Sequence, residues 1–207
     1  MQNQEPPAPP VQEHNPYAPP AAVLEVAVIQ EFYVVATRKF WIMSLATAGL
    51  YFVYWGFRHY QTIRAKSMEA MWPVARAIFL IFFLHDLYRR FAAKASARSN
   101  NFAFNHVQYA TATVVVILTS YLCSQLSSRG IGSPLTDFVP LLLVPAQCYL
   151  MAAAQSVANF ASGDSEGQSN ANFTGLNVLW LAIGALMWSM ALLGVYITLY
   201  RPDLLQP

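Results

Sequence analysis

The chain holds 207 residues, 56% of them hydrophobic and only 11% charged, with a formal net charge of +2. Ordinary soluble domains carry about 25% charged residues, so water is a poor solvent for much of this sequence. A balance so close to neutral speaks against a nucleic-acid binder, which needs a basic face to neutralise phosphates.

Residues 1–22 contain seven of the thirteen prolines and almost no large aliphatic side chain, so they are expected to be a disordered Pro-rich tail. An acidic, proline-rich start also lacks the basic-then-apolar order of a secretory leader. Such a tail is either a docking peptide in polyproline conformation or a solvated leader, and the second is the expectation. Its Asn15-Pro16-Tyr17-Ala18-Pro19-Pro20 resembles a stretch near the N-termini of many bacterial membrane proteins.

Residues 23–39 form an apolar run interrupted by glutamate, ending in Arg38-Lys39. They are expected as an interfacial lead-in. Beyond it, Asp, Glu, Lys and Arg are missing from Phe40 to Phe57, Ser99 to Ser128, Phe138 to Gly163 and Gly167 to Tyr200. A bilayer-spanning helix needs about 20 mostly apolar residues, because its backbone groups must be satisfied internally. The first span is therefore placed at about 40–57, its far end marked by Tyr51, Phe52, Tyr54, Trp55 and Phe57 as an interfacial aromatic belt.

Around 74–94 the apolar run is too short to cross. His85, Asp86, Arg89, Arg90 and Lys94 share one helical stripe, and Leu80, Phe83, Leu84, Leu87 and Phe91 the other. This is the pattern of an interfacial or re-entrant amphipathic helix, with Asp86 paired to Arg90 one turn on. A second span follows at about 107–125, then a Gly- and Pro-containing turn over 128–134. The third span, about 135–158, carries Pro140 and Pro145 and should kink near its start. A polar loop precedes the last span at about 176–200.

The expected fold is thus all-α: a polytopic transmembrane helical bundle of about four spanning helices plus one interfacial helix. Cytoplasmic loops retain lysine and arginine. With four spans, residues 58–107 carry eight of the twelve basic residues and face the cytoplasm, and both termini face outward. A fifth span near residue 80 would divide the basic residues almost evenly and leave orientation open.

Lys39-Phe40, then Ser44, Thr47, Gly49, Tyr51, Tyr54 and Trp55, resembles the opening of the bacterial membrane proteins grouped as the domain of unknown function 4234 family. There a Lys-Phe enters the membrane and a Thr-x-Gly-x-Tyr-x-x-Tyr-Trp run leaves it. Trp72-Pro73 with Arg76-Ala77-Ile78-Phe79, Pro145-Ala146-Gln147, and Asn172-Phe173-Thr174-Gly175-Leu176-Asn177 ahead of Gly184 and Trp188 are similar to later landmarks, so the resemblance covers roughly residues 30–195. Met151 to Ala154 depart from it, standing where an Asn-containing stretch is expected. The resemblance implies a multi-pass protein of the bacterial inner membrane and brings no activity with it.

Neither an enzyme nor a cofactor or metal site is expected, since no phosphate loop, nucleophile elbow, paired intramembrane carboxylates or metal-ligand spacing is present. Cys123 and Cys148 fall in neutral stretches, where a thiol behaves as a small hydrophobe. His85-Asp86 reads either as a proton-handling pair or as part of the polar stripe of its helix, and the second is expected. Two sets of residues carry the functional expectations. Arg58, Arg64, Lys66, Arg89, Arg90 and Lys94 would bind anionic lipid headgroups in a membrane scaffold or accessory protein. Gln147, Gln155 and Asn159, with Asn177, form an intramembrane polar stripe that either bonds to adjacent helices or lines the path of a small transporter or channel. Small residues four apart, such as Ser44 and Ala48 or Ser120 and Ser124, serve packing within the chain or contact with a membrane partner or a second copy.

Overall fold

The computed structural model describes residues 30–100 and 102–201, and every regular element among them is helical. The proline-rich tail and residues 23–29 of the lead-in lie outside the described residues. Three helices are long and apolar enough to cross a membrane: α5 (His106–Ser127), α6 (Leu135–Ala161) and α7 (Gly175–Tyr200). At 1.5 Å per residue each extends roughly 33–40 Å, enough for a hydrocarbon layer of about 30 Å. They match the expected spans at 107–125, 135–158 and 176–200 to within a few residues. Pro140 and Pro145 both lie inside the continuous α6. Asp137 in its first turn accepts hydrogen bonds from Ser127 (2.5 Å) and Ser133 (2.6 Å), closing the α5–α6 turn.

Residues 40–57 do not form one helix. They divide into α1 (Thr37–Ala46) and the first part of α2 (Tyr51–Ser67). The break is built by Thr47, whose hydroxyl donates to the Met43 carbonyl (2.8 Å) and accepts from the Tyr51 amide (3.0 Å), so one side chain serves the end of α1 and the start of α2. Ala48 and Gly49 take positive φ, 49° and 92°, and the chain turns back on itself. Phe40 then meets Phe52 and Trp55 across the hairpin, with ring centroids 6.1 and 6.3 Å apart. The Thr-x-Gly-x-Tyr-x-x-Tyr-Trp run is therefore a hairpin turn, where the sequence suggested the exit of a span.

α1 runs along α6 and α7. Its last carbonyls meet α7 closely: the Trp188 indole N–H donates to the Leu45 carbonyl (2.8 Å), and a Cβ on Gly184 would collide with the Ala46 carbonyl oxygen. Gly184 lies nine residues inside α7, so the tip of the hairpin stands ~14 Å from that helix's start.

The 74–94 segment is also two helices, α3 (Pro73–Ile78) and α4 (Leu80–Arg98), hinged at Phe79. α3 packs back along α2: Arg76 stacks on Tyr60 (5.1 Å), the Tyr60 hydroxyl donates to the Phe83 carbonyl (2.9 Å), and Leu80 rests on Gly56. α4 then returns beside α5 and α6. Leu80, Leu84, Leu87 and Phe91 are buried in this protein core, and Phe83 is half-buried beside it, so the apolar stripe meets protein where an acyl boundary was expected. Ile78, Phe79 and Phe82 stay exposed at the hinge.

Connectivity gives the bundle two distinct ends. The starts of α1, α5 and α7 and the ends of α2, α4 and α6 share one end. The α5–α6 turn and the end of α7 share the other. Both hairpins enter from the first end and stop partway.

Gly184→Leu should force α1 off α7 and lower stability by about 1–3 kcal/mol, read by thermal unfolding in detergent. Gly194→Leu in the same helix, where nothing lies within 4 Å, should leave it unchanged.

Candidate functional site

The most polar part of the interior surrounds an extended segment, Phe32 to Ala36, which precedes α1 and is threaded between α6 and the α6–α7 connection. Phe32, Val34, Val35 and Ala36 are all buried. An extended strand with no neighbouring strand leaves its amides and carbonyls unpaired, at a cost of about 1–3 kcal/mol per buried group. Side chains of α6 and the connection pair them instead. Asn159 accepts from the Val35 amide (3.2 Å) and donates to the Val35 carbonyl (2.8 Å), imitating one rung of a β-ladder. The Ser162 hydroxyl accepts from the Phe32 amide (2.9 Å), and Gln155 donates to the Tyr33 carbonyl (3.1 Å). From the other side Asn170 donates to the Val34 carbonyl (2.9 Å) and its own carbonyl accepts from the Ala36 amide (3.4 Å).

Gln155 joins this clamp to α2. Its Oε1 accepts from the Trp55 indole N–H and from His59 Nε2 (3.1 Å), and its amide nitrogen also donates to Asn159 (2.7 Å). All four of its hydrogen-bonding positions are thus filled, at 1% exposure. Since Oε1 can only accept, His59 carries its proton on Nε2, and its enclosed Nδ1 has no partner. Burial pushes the His59 pKa from 6.5 down to about 3, against the smaller opposing effect of the Gln155 bond.

The intramembrane stripe is therefore only partly brought together. Gln155 and Asn159 meet at the clamp, enclosed by protein. Gln147 is half-exposed two turns away. Asn177 caps its own helix, its side chain bonding to the Thr174 amide (3.0 Å) while the Thr174 hydroxyl accepts from the Asn177 amide (3.4 Å).

The basic set also divides. Arg89 and Arg90 bond Asp86 (2.7 and 3.0 Å), which Arg76 also approaches (3.1 Å), and Arg90 makes a two-pronged pair with Glu69 (2.8 and 2.9 Å). Desolvation would raise the Asp86 pKa, but hydrogen bonds and charge from Arg89 and Arg90 together hold it below the ordinary carboxylate value. Lys66 and Lys94 share Glu31 (3.4 and 3.2 Å), tying the ends of α2 and α4 to the extended segment. Glu31, Lys66, Glu69, Arg89, Arg90 and Lys94 line a cleft of about 550 Å³. Arg64 points to the surroundings. Arg58 faces a different cleft, with Lys39. His85 bonds Thr111 (3.1 Å), away from Asp86, so the two do not form a pair.

His59, Ser162 and Asn170 are site residues that sequence patterns did not single out, and Lys39 and Trp55 stood out only as marks of the membrane boundary. The one available signal was the Thr-x-Gly inside an apolar run, which marks a break and would have turned Trp55 and His59 inward. No known protein family, curated protein or solved structure matches this chain.

Asn159→Leu should cost about 2–4 kcal/mol, because the Val35 amide and carbonyl lose their partners together. It should also expose residues 31–36 to proteolysis, whereas Gln147→Leu should change neither. Unfolded His59 takes up a proton below pH 6.5 and folded His59 resists it until about pH 3, so stability is full above that window and falls with acidification through it. Its share of the loss between about pH 7.5 and 5.5 is ~1.4 kcal/mol, measurable as the part of the pH dependence of unfolding that His59→Phe removes.

Proposed function

We propose that this chain is a scaffold or accessory protein of the bacterial inner membrane, crossing it three times, with two helical hairpins dipping into the leaflet on the cytoplasmic side. The observation that carries this reading is the distribution of charge between the two ends of the bundle. Ten of the twelve basic residues lie at the end from which the hairpins enter, and the remaining two, Arg129 and Arg201, lie at the other. Among the described residues the ten are opposed by Glu31, Glu69, Asp86, Asp164 and Glu166, a surplus of five positive charges. Retention of lysine and arginine in the cytoplasm then sets the orientation. Residue 30 starts on the cytoplasmic side and α7 ends outside, unlike the four-span arrangement in which both termini face outward.

The surplus attracts anionic headgroups at about 1 kcal/mol per basic residue near the surface. Arg64 contributes fully and Arg58 from a half-buried position, while Lys66, Arg89, Arg90 and Lys94 are partly neutralised within the protein. The partner class is the anionic leaflet together with a membrane protein or second copy seated on it. The resemblance to the domain of unknown function 4234 family supports the bacterial assignment. A transport path along Gln155 and Asn159 gains nothing from the geometry, since both amides spend their hydrogen bonds inside the clamp.

Alkaline phosphatase fused after residues near 66, 131 and 168 tests the orientation. Activity is expected at 131 alone, and activity at 66 or 168 would overturn it.

A further inference from the structure

The α1–α2 hairpin places Lys39 and Arg58, nineteen residues apart in sequence, on one cleft of about 240 Å³ beside the α6–α7 connection. Among the described residues no carboxylate lines this cleft. That sets it apart from the neighbouring charges, since Lys66, Arg76, Arg89, Arg90 and Lys94 each have a carboxylate within 2.7–3.4 Å. Lys39, only 3% exposed, donates to neutral acceptors: the Asn170 side chain and the Asn172 carbonyl, both at 2.7 Å. The ammonium also lies 5.8 Å from the centre of the Phe173 ring, so its recorded contacts are all with neutral groups. The Arg58 guanidinium lies over the Tyr33 ring at 5.1 Å and donates once, to Gln61 (3.2 Å), while its enclosed Nε has no partner.

Two cations withdrawn from water without a counter-charge are costly, and an anion removes that cost. Tyr54, Ser169 and Thr174 line the same cleft, with the Thr174 hydroxyl donating to Asn177 Oδ1 (3.1 Å). A guanidinium and an ammonium on one cleft suit a phosphate oxyanion. The positive end of α7 adds to the same field.

We propose that this cleft binds a phosphate group, carried either by a lipid headgroup or by a free phosphate or phosphate ester. The assignment does not depend on which end of the bundle faces the cytoplasm, so it stands or fails separately from the orientation.

The test uses the full chain, delipidated in a maltoside detergent, with the unfolding temperature followed against ligand concentration. The probes are inorganic phosphate, dihexanoyl phosphatidylglycerol, and dihexanoylglycerol, which lacks the phosphate. Stabilisation by the first two, absent with the third, and weakened about tenfold or more by Arg58→Gln, is the expected result. Stabilisation by the phospholipid alone would assign a headgroup, and by inorganic phosphate alone a free anion. Ser169→Asp, which sets a carboxylate on the rim without touching the core, should abolish binding and serves if Arg58→Gln does not fold. Arg64→Gln, outside the cleft, should bind as the parent does. No stabilisation by either phosphate, equal stabilisation by dihexanoylglycerol, or undiminished binding in both cleft variants would overturn the proposal.

Discussion

An unpaired strand in the middle of a helical protein is the constraint on which the rest of this structure depends. Residues 32–36 offer a row of backbone donors and acceptors in a largely enclosed place with no neighbouring strand. Their pairing comes from Gln155, Asn159 and Ser162 on α6 and its C-terminal end and from Asn170 in the following connection. These amides and hydroxyls are short and stiff enough to be positioned by a helix, and each provides what a neighbouring strand would. Because Gln155 also takes the Trp55 indole N–H and His59, the same contact fixes the depth and rotation of α2. Loss of any one member would strand several partners at once.

This arrangement explains the hairpins. An extended segment pinned at the bundle's end delivers the chain into α1 already enclosed, and a ten-residue helix is too short to reach the far side. The chain must reverse, and the amides of Thr47, Ala48 and Gly49 cover the Met43, Leu45 and Ser44 carbonyls as it does so. Trp188 adds a second donor to the Leu45 carbonyl, from the α7 side. The second hairpin then fills the space beside α2, and its ion pairs knit α2, α3 and α4 together. Such partly exposed pairs contribute about 0–1 kcal/mol each, so they orient these helices more than they stabilise them.

Much of this is legible in the residues. Long neutral runs reveal three of the helices, because helices of water-soluble domains rarely stay apolar on every face for more than about 18 residues. The fourth run misleads for a physical reason: Phe40, Met43, Tyr51, Phe52 and Trp55 are buried in protein, and hydropathy does not distinguish protein from lipid. The stripe on α4 is amphipathic as its spacing predicts, with Asp86 and Arg90 indeed paired, but its apolar side faces α5 and α6. Gln155 and Asn159 stand out as amides in an apolar helix. Their partners do not, because the acceptors are backbone groups more than 120 residues away, and any sequence supplies those.

The hairpins stop partway, and this gives the molecule unequal girth. Seven helices contribute to its cross-section near the basic end, among the described residues, but only α5, α6 and α7 continue to the other. With each helix about 10 Å across, the body tapers strongly along the bundle axis. In the proposed three-span arrangement such a taper displaces more lipid from one leaflet than from the other, so crowding many copies would bend the sheet toward a preferred curvature even if no copy touched its neighbour.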